Sequence, residues 1–189
     1  MVKETLPNLS FQSFFISNEI TNSPLLVEII KTGKKLKEKG ILTDNTSATI
    51  SVGFGKRILI NGEVEDFSKI KKEEIIEIVD YNPIKNILLV IGPIEPKIES
   101  PIHWMIHHAR YEVNSIVQIN NSNLVEKLRK KIPIIDDKYP IGSIENIKEV
   151  LKGLKNSNKI IVRNDNILFI GKRLYDIEET IFKIVEEIK

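Results

Sequence analysis

The chain has 189 residues, 41% hydrophobic and 29% charged, with 28 lysines and arginines against 26 aspartates and glutamates for a net charge of +2. Such a chain can bury a substantial core as one soluble unit, and its near-neutral balance excludes an electrostatic case for a nucleic-acid or acidic-membrane partner. With no cysteine there is no disulfide framework, thiolate nucleophile or cysteine zinc site.

No apolar run approaches the ~18 residues of a membrane span. No basic start followed by an apolar stretch marks a signal peptide, so the cytoplasm is the expected compartment. Isoleucine and lysine are abundant and alanine nearly absent, a bias that a heat-loving source and an AT-rich genome would each produce.

Residues 1–22 are polar and aperiodic apart from Phe11, Phe14, Phe15 and Ile16. They predict an extension that docks those side chains on a body spanning 23–189. Ser23-Pro24 predicts a helix start, with Ser23 as N-cap and Pro24 at the first helical position. Leu25, Leu26, Ile29, Ile30 and Leu36 give that helix its apolar face, and Gly40 ends it. Lys34, Lys35, Lys37 and Lys39 read as its solvated face, with phosphate or RNA contact as the alternative.

Two β-branched runs, 48–52 and 57–60, flank Gly53-Phe54-Gly55 and predict a hairpin turning there. Further strands are predicted at Ile75–Asp80 and Ile87–Ile91, around a turn at Asn82-Pro83. Ser100-Pro101 predicts a second helix, running to about Tyr111. A buried strand at Ser115–Ile119 follows, then helices at Asn123–Lys131 and Ile144–Leu154. Lys159–Val162 and Ile167–Ile170 pair around Asn164-Asp165-Asn166, a set suited to a tight turn. An amphipathic helix from Asp176 or Ile177 to Ile188 closes the chain. With neither repeat nor linker, this order predicts one α/β domain with a largely antiparallel sheet.

The chemistry-bearing residues lie in two stretches, PKIESPIHWMIHHARYEVNSIVQINN from Pro96 to Asn121 and IVRNDNILFIGKRLYDIEETIFKIVEEI from Ile161 to Ile188. His103 and His107, spaced i, i+4, share one helix face. With Glu99 upstream they could seed a metal site, but His108 points about 100° away and no other histidine remains. Packing is the simpler role for His107, and Trp104 reads as core or interface. There is no G-x-S-x-G elbow, G-x-G-x-x-G fingerprint or P-loop.

These stretches resemble the class II aldolase/adducin family. Its Pro-Ser-Ser-Glu falls on Pro96-Lys97-Ile98-Glu99, with His103 matching a family histidine. Arg110 and Val113-Asn114-Ser115-Ile116-Val117 follow the family's Arg-Pro-Asp-Val-Asn-Ala-Val-Val. Upstream, Thr46-Ser47-Ala48-Thr49-Ile50-Ser51 stands for Thr-Ser-Gly-Asn-(apolar)-Ser, and Asn61-Gly62-Glu63-Val64 for Thr-Pro-Ser-Gly. Gly171 and Glu178 match downstream. The likeness covers roughly Leu25–Ile188 and implies a layered α/β/α fold around a central, largely antiparallel sheet.

The family's three zinc-ligand histidines, from His-x-His and Asn-His-Gly, fall here on Gln118, Asn120 and Asp165. Its phosphate cradle falls on Ala48-Thr49, Glu63-Val64 and Lys97-Ile98. The catalytic glutamate matches Glu99. The resemblance therefore implies the fold without the zinc mechanism: no cofactor, and a binding or assembly module that forms a homo-oligomer, as active relatives form tetramers. Ser47, Thr49, Asn61 and Lys97 are the remaining candidates to contact a small-molecule ligand. The competing expectation is a lyase or epimerase acting on a small sugar phosphate or aldehyde, using Glu99 with His103 or His107 and a relocated divalent metal. A third is a small-metabolite sensor.

Overall fold

The computed structural model describes residues 11–135, 138–163 and 165–188. Residues 1–10 of the expected extension and Asn164 of the expected turn lie outside them. The elements are β1 (Gln12–Ser17), α1 (Leu26–Glu38), β2 (Ser47–Phe54), β3 (Arg57–Asn61), β4 (Ile75–Asn82), β5 (Ile87–Ile91), α2 (Ser100–Ala109), β6 (Ser115–Asn120), α3 (Ser122–Leu128), β7 (Ile134–Ile135), α4 (Ile144–Gly153), β8 (Lys159–Val162), β9 (Asn166–Gly171) and α5 (Leu174–Glu186).

Among the described residues the strands form one nine-stranded sheet in the order β1-β5-β4-β3-β2-β6-β9-β8-β7. The two outer pairs, β1 with β5 and β7 with β8, are parallel, and the pairs between them antiparallel. Side-chain alternation builds two cores, one on each face. Val117, Ile119, Ile167 and Phe169 point to the core shared with α1, α3 and α5. Ile116, Leu168 and Ile170 point to the core shared with α2 and α4. A sheet covered on both faces reads as near-continuous β-branched runs rather than clean alternation. The architecture is the layered α/β/α arrangement with a largely antiparallel sheet.

Several local details depart from the sequence expectations. Regular helix in α1 begins at Leu26; Ser23 Oγ accepts the Leu25 N–H at 3.3 Å in a lead-in turn, and Leu25 is itself helical. Past the end of α1, Gly40 takes φ +69°, a backbone that side-chain-bearing residues rarely adopt. The first hairpin turns at Gly55-Lys56, because Gly53 is still paired, opposite Ile58. Residues 12–17 are a strand. Of the four side chains expected to dock there, Phe11 is buried and Phe15 packs on the core, but Phe14 and Ile16 face solvent at 66% and 54% exposure.

Two lysines of the run on α1, Lys35 and Lys37, form ion pairs. Lys35 reaches the buried Glu178 carboxylate at 2.6 Å, and Thr32 Oγ1 donates to the same carboxylate at 2.6 Å, tying α1 to α5. Lys37 pairs with Asp44 at 2.6 Å. Among the described residues no helix is long and apolar enough to cross a membrane.

Candidate functional site

Strand β2 lies between β3 and β6 at the sheet centre, so its α2-facing residues sit under that helix. Ser51, fully buried, places its Oγ 2.7 Å from His103 Nδ1 and 2.9 Å from His107 Nε2. The i, i+4 spacing puts both rings on one helix face, and Ser51 is the polar atom opposite it. One hydroxyl has one proton to donate. It donates to one imidazole and accepts from the other, so the two rings share it only in complementary tautomers.

Burial first, then the neighbouring His107 and Lys97, pushes the His103 imidazole down to about 3, against a hydrogen-bonding contribution from Gln118. Burial likewise pushes His107 down to about 4, with His108 adding to the effect and the Val113 backbone opposing it. Both rings are therefore neutral at physiological pH. Gly53 lets this layer close: a Cβ there would overlap the Asn114 side chain and approach His107 Nδ1 at 3.5 Å. His108, beside them, stacks on the buried Trp104 at 3.9 Å between ring centroids.

The positions of the family's metal ligands come together at one end of β6 and β9. Asn120 is opposite Asn166 in the ladder, and the Asn121 N–H bonds the Asp165 carbonyl at 2.7 Å. The donor set there is two amides and one carboxylate. Gln118, only 5% exposed, donates from Nε2 to Asn166 Oδ1 at 3.0 Å, and Asn166 donates to Asp165 Oδ1 at 2.8 Å. Neutral amides are poor zinc ligands beside imidazole, thiolate or carboxylate. These residues therefore do not fit the ion that the family motifs would hold. Among the described residues, no group of three or more His, Asp or Glu is placed to hold a metal. A cavity beside Gln118 and Asn166, walled by Ile102, Ile141 and Val150, measures only about 10 Å³, room for about one water.

The cradle positions also meet, around Ala48. Asn61 is wholly buried and spends its amide on backbone: Oδ1 accepts the Ile50 N–H at 2.6 Å, and Nδ2 donates to the Ala48 and Gly62 carbonyls at 3.1 and 2.8 Å. Lys97 Nζ donates to the Ala48 carbonyl at 3.4 Å and lies 3.7 Å from the Glu63 carboxylate. Thr49 is buried opposite Gln118, and Ser47 is half-buried opposite Asn120. Glu99 is buried at the start of α2, and its Oε2 has no hydrogen-bond partner among the described residues. Sequence reasoning singles out the histidine face but misses Ser51 and Asn166. Ser51 is one of three hydroxyl residues on β2, with Ser47 and Thr49, and nothing in the sequence pairs that strand with α2.

A sequence profile described as Class II Aldolase and Adducin N-terminal domain matches residues 27–125, more than half of the chain. The chain belongs to the class II aldolase and adducin family. Among solved structures, an L-fuculose 1-phosphate aldolase matches with a TM-score of 0.69 at 19% identity, over 88% of this chain and 85% of its own. A sugar-phosphate aldolase from Thermotoga maritima matches at 0.66 and 16%, over 86% and 92%. An L-fuculose-1-phosphate aldolase from Thermus thermophilus matches at 0.63 and 13%, over 86% and 90%. At these identities the likeness shows the class II aldolase fold alone. No curated protein matches the sequence.

Proposed function

We propose that this class II aldolase/adducin domain has given up zinc-dependent aldol chemistry and acts as a binding or assembly module, associating with further copies of itself. The observation that carries the reading is Gln118. Its buried amide is engaged by Asn166 at a position where the family places an imidazole. An amide whose Nε2 donates to Asn166 contributes hydrogen bonding between β6 and β9 rather than a metal ligand. The cradle supports the same reading. Ala48 carries a Cβ where glycine admits a ligand to the backbone, Asn61 is spent on backbone groups, and Glu63 offsets the Lys97 charge.

The test is metal content together with activity. The protein dialysed without chelator is expected to carry far less than one zinc per chain, and its cleavage of sugar 1-phosphates to stay at background. A ratio near one that vanishes in Gln118→Ala would overturn the proposal. One observation favours an enzyme instead: the buried Glu99 Oε2, unpartnered among the described residues, is the kind of carboxyl that proton transfer uses. Turnover above background that is abolished in Glu99→Gln would establish that second reading.

A further inference from the structure

On the α1 side of the sheet, past the end of β6, lies an open pocket of about 440 Å³, within the range of small-molecule sites. Its polar wall is Lys39, Asn45, Asn120, Ser122, Asn123 and Lys127, over an aliphatic floor from Ile41 and Leu124. It shares only Asn120 with the family's ligand positions, and none of Ala48, Asn61, Glu63, Lys97 or Glu99 lines it.

Two features define what it would take. No carboxylate is present among the described residues that line it, although the chain carries 26 acidic residues. Of the acidic residues flanking it in sequence, Asp44 pairs with Lys37, Glu126 with Arg129, and Glu187 with Lys131. That leaves Lys39 and Lys127 without an ion-pair partner among the described residues. Lys39 Nζ lies 5.6 Å from the centre of the Phe182 ring, which restrains the ammonium on the pocket's α5 side. Two ammonium groups that form no ion pair among the described residues provide for an oxyanion. The amides and the Ser122 hydroxyl, which can both donate and accept, match hydroxyl groups behind it. The Asn121 side chain is excluded from this role, because its Oδ1 accepts the Leu124 N–H and its Nδ2 donates to the Ile41 carbonyl.

We propose that this pocket is a binding site for a small hydroxylated oxyanion, adjoining the family's metal-ligand position at Asn120 but without the cradle residues. The proposal does not depend on whether the zinc chemistry has been lost.

The test is a ¹H–¹⁵N NMR titration of the full chain with glycerol 3-phosphate, glycerate, inorganic phosphate and glycerol. Glycerol 3-phosphate or glycerate is expected to give saturable shifts at Thr43, Asn45, Ser122 and Asn123, and the tighter of the two identifies the oxyanion head. Lys127→Ala and Lys39→Ala should each weaken binding about tenfold, the equivalent of one lost charge-assisted hydrogen bond. Lys85→Ala, at an exposed lysine outside the pocket, should leave it unchanged. Glycerol should give no saturable shift, and inorganic phosphate should bind more weakly than the hydroxylated anion. The proposal falls if no anion gives saturable shifts at those four amides. It also falls if the lysine variants bind as the parent does, if inorganic phosphate binds as tightly as either hydroxylated anion, or if the shifts map to Lys97 and Ala48 instead. Both lysines are exposed surface residues, so a variant with a dispersed spectrum is a valid comparison.

Discussion

Stability is expected to fall steeply below pH 6.5. His103 and His107 hold folded values of about 3 and about 4 against an ordinary value of 6.5. Below pH 6.5 the unfolded chain takes up protons that the folded chain refuses, so acid favours unfolding. The contribution of the neutral rings is complete above the unfolded value and is lost as pH falls toward the folded ones. Each histidine adds a slope of up to ~1.4 kcal/mol per pH unit, or ~2.7 for both. For His103 alone the window from 6.5 to about 3 amounts to roughly 5 kcal/mol, comparable to the whole stability of many domains. Urea unfolding at half-unit steps between pH 7.5 and 4.5 measures this directly. A flat profile across that range would show that the Ser51 layer admits water or relaxes to accept a charge.

Rebuilding the ligand set should restore the metal without restoring the reaction. Gln118→His, Asn120→His and Asp165→His together place three imidazoles at the end of β6 and β9, where the ladder already sets Asn120 opposite Asn166. The triple variant is expected to gain zinc binding that the parent lacks, read by competition with a chromogenic chelator. Aldol cleavage should stay near background, because Ala48, the spent Asn61 amide and Glu63 leave a substrate phosphate unheld. Correct orientation can be worth ~7–11 kcal/mol of a barrier, so a metal facing an unpositioned substrate stays slow. A folded triple variant with no zinc affinity would mean that the three positions do not converge as the β6–β9 register requires. Appreciable turnover would mean that the cradle is not needed.

Most of the fold can be read from local chemistry, and the exceptions have identifiable causes. Helices α2 and α4 are marked by Ser-Pro or serine at their starts and by apolar periodicity. The central strands are marked by β-branched runs between turn residues. Strand β1 carries a weaker mark: QSFFIS sits in a polar stretch without a clear period, and its partner β5 lies far along the chain. Local reading sets the hairpin turn two residues early because Gly53 resembles a turn glycine, whereas its lack of a side chain serves close packing against Asn114. At the site, the shared face of His103 and His107 follows from helical spacing alone. The Ser51 hydroxyl between them, the backbone duty of Asn61 and the Gln118–Asn166 bond do not. Each depends on which strand lies beside which, and that is decided by the tertiary arrangement.

The parallel pairing at the edge of the sheet also bears on the order in which the protein assembles. Gln12 meets Ile87, so β1 leaves the ribosome early but has no partner until β5 has been made. Closing so long a loop is entropically slow, and the antiparallel neighbours β2 to β5 can join through short connections in the meantime. Strand β1 is therefore expected to dock only after β4 and β5 have paired. It lies at the end of the strand order, so one of its own edges stays open among the described residues. Its amides should exchange with solvent faster than those of β2 and β6 at the centre of the sheet, a hierarchy that hydrogen exchange would resolve.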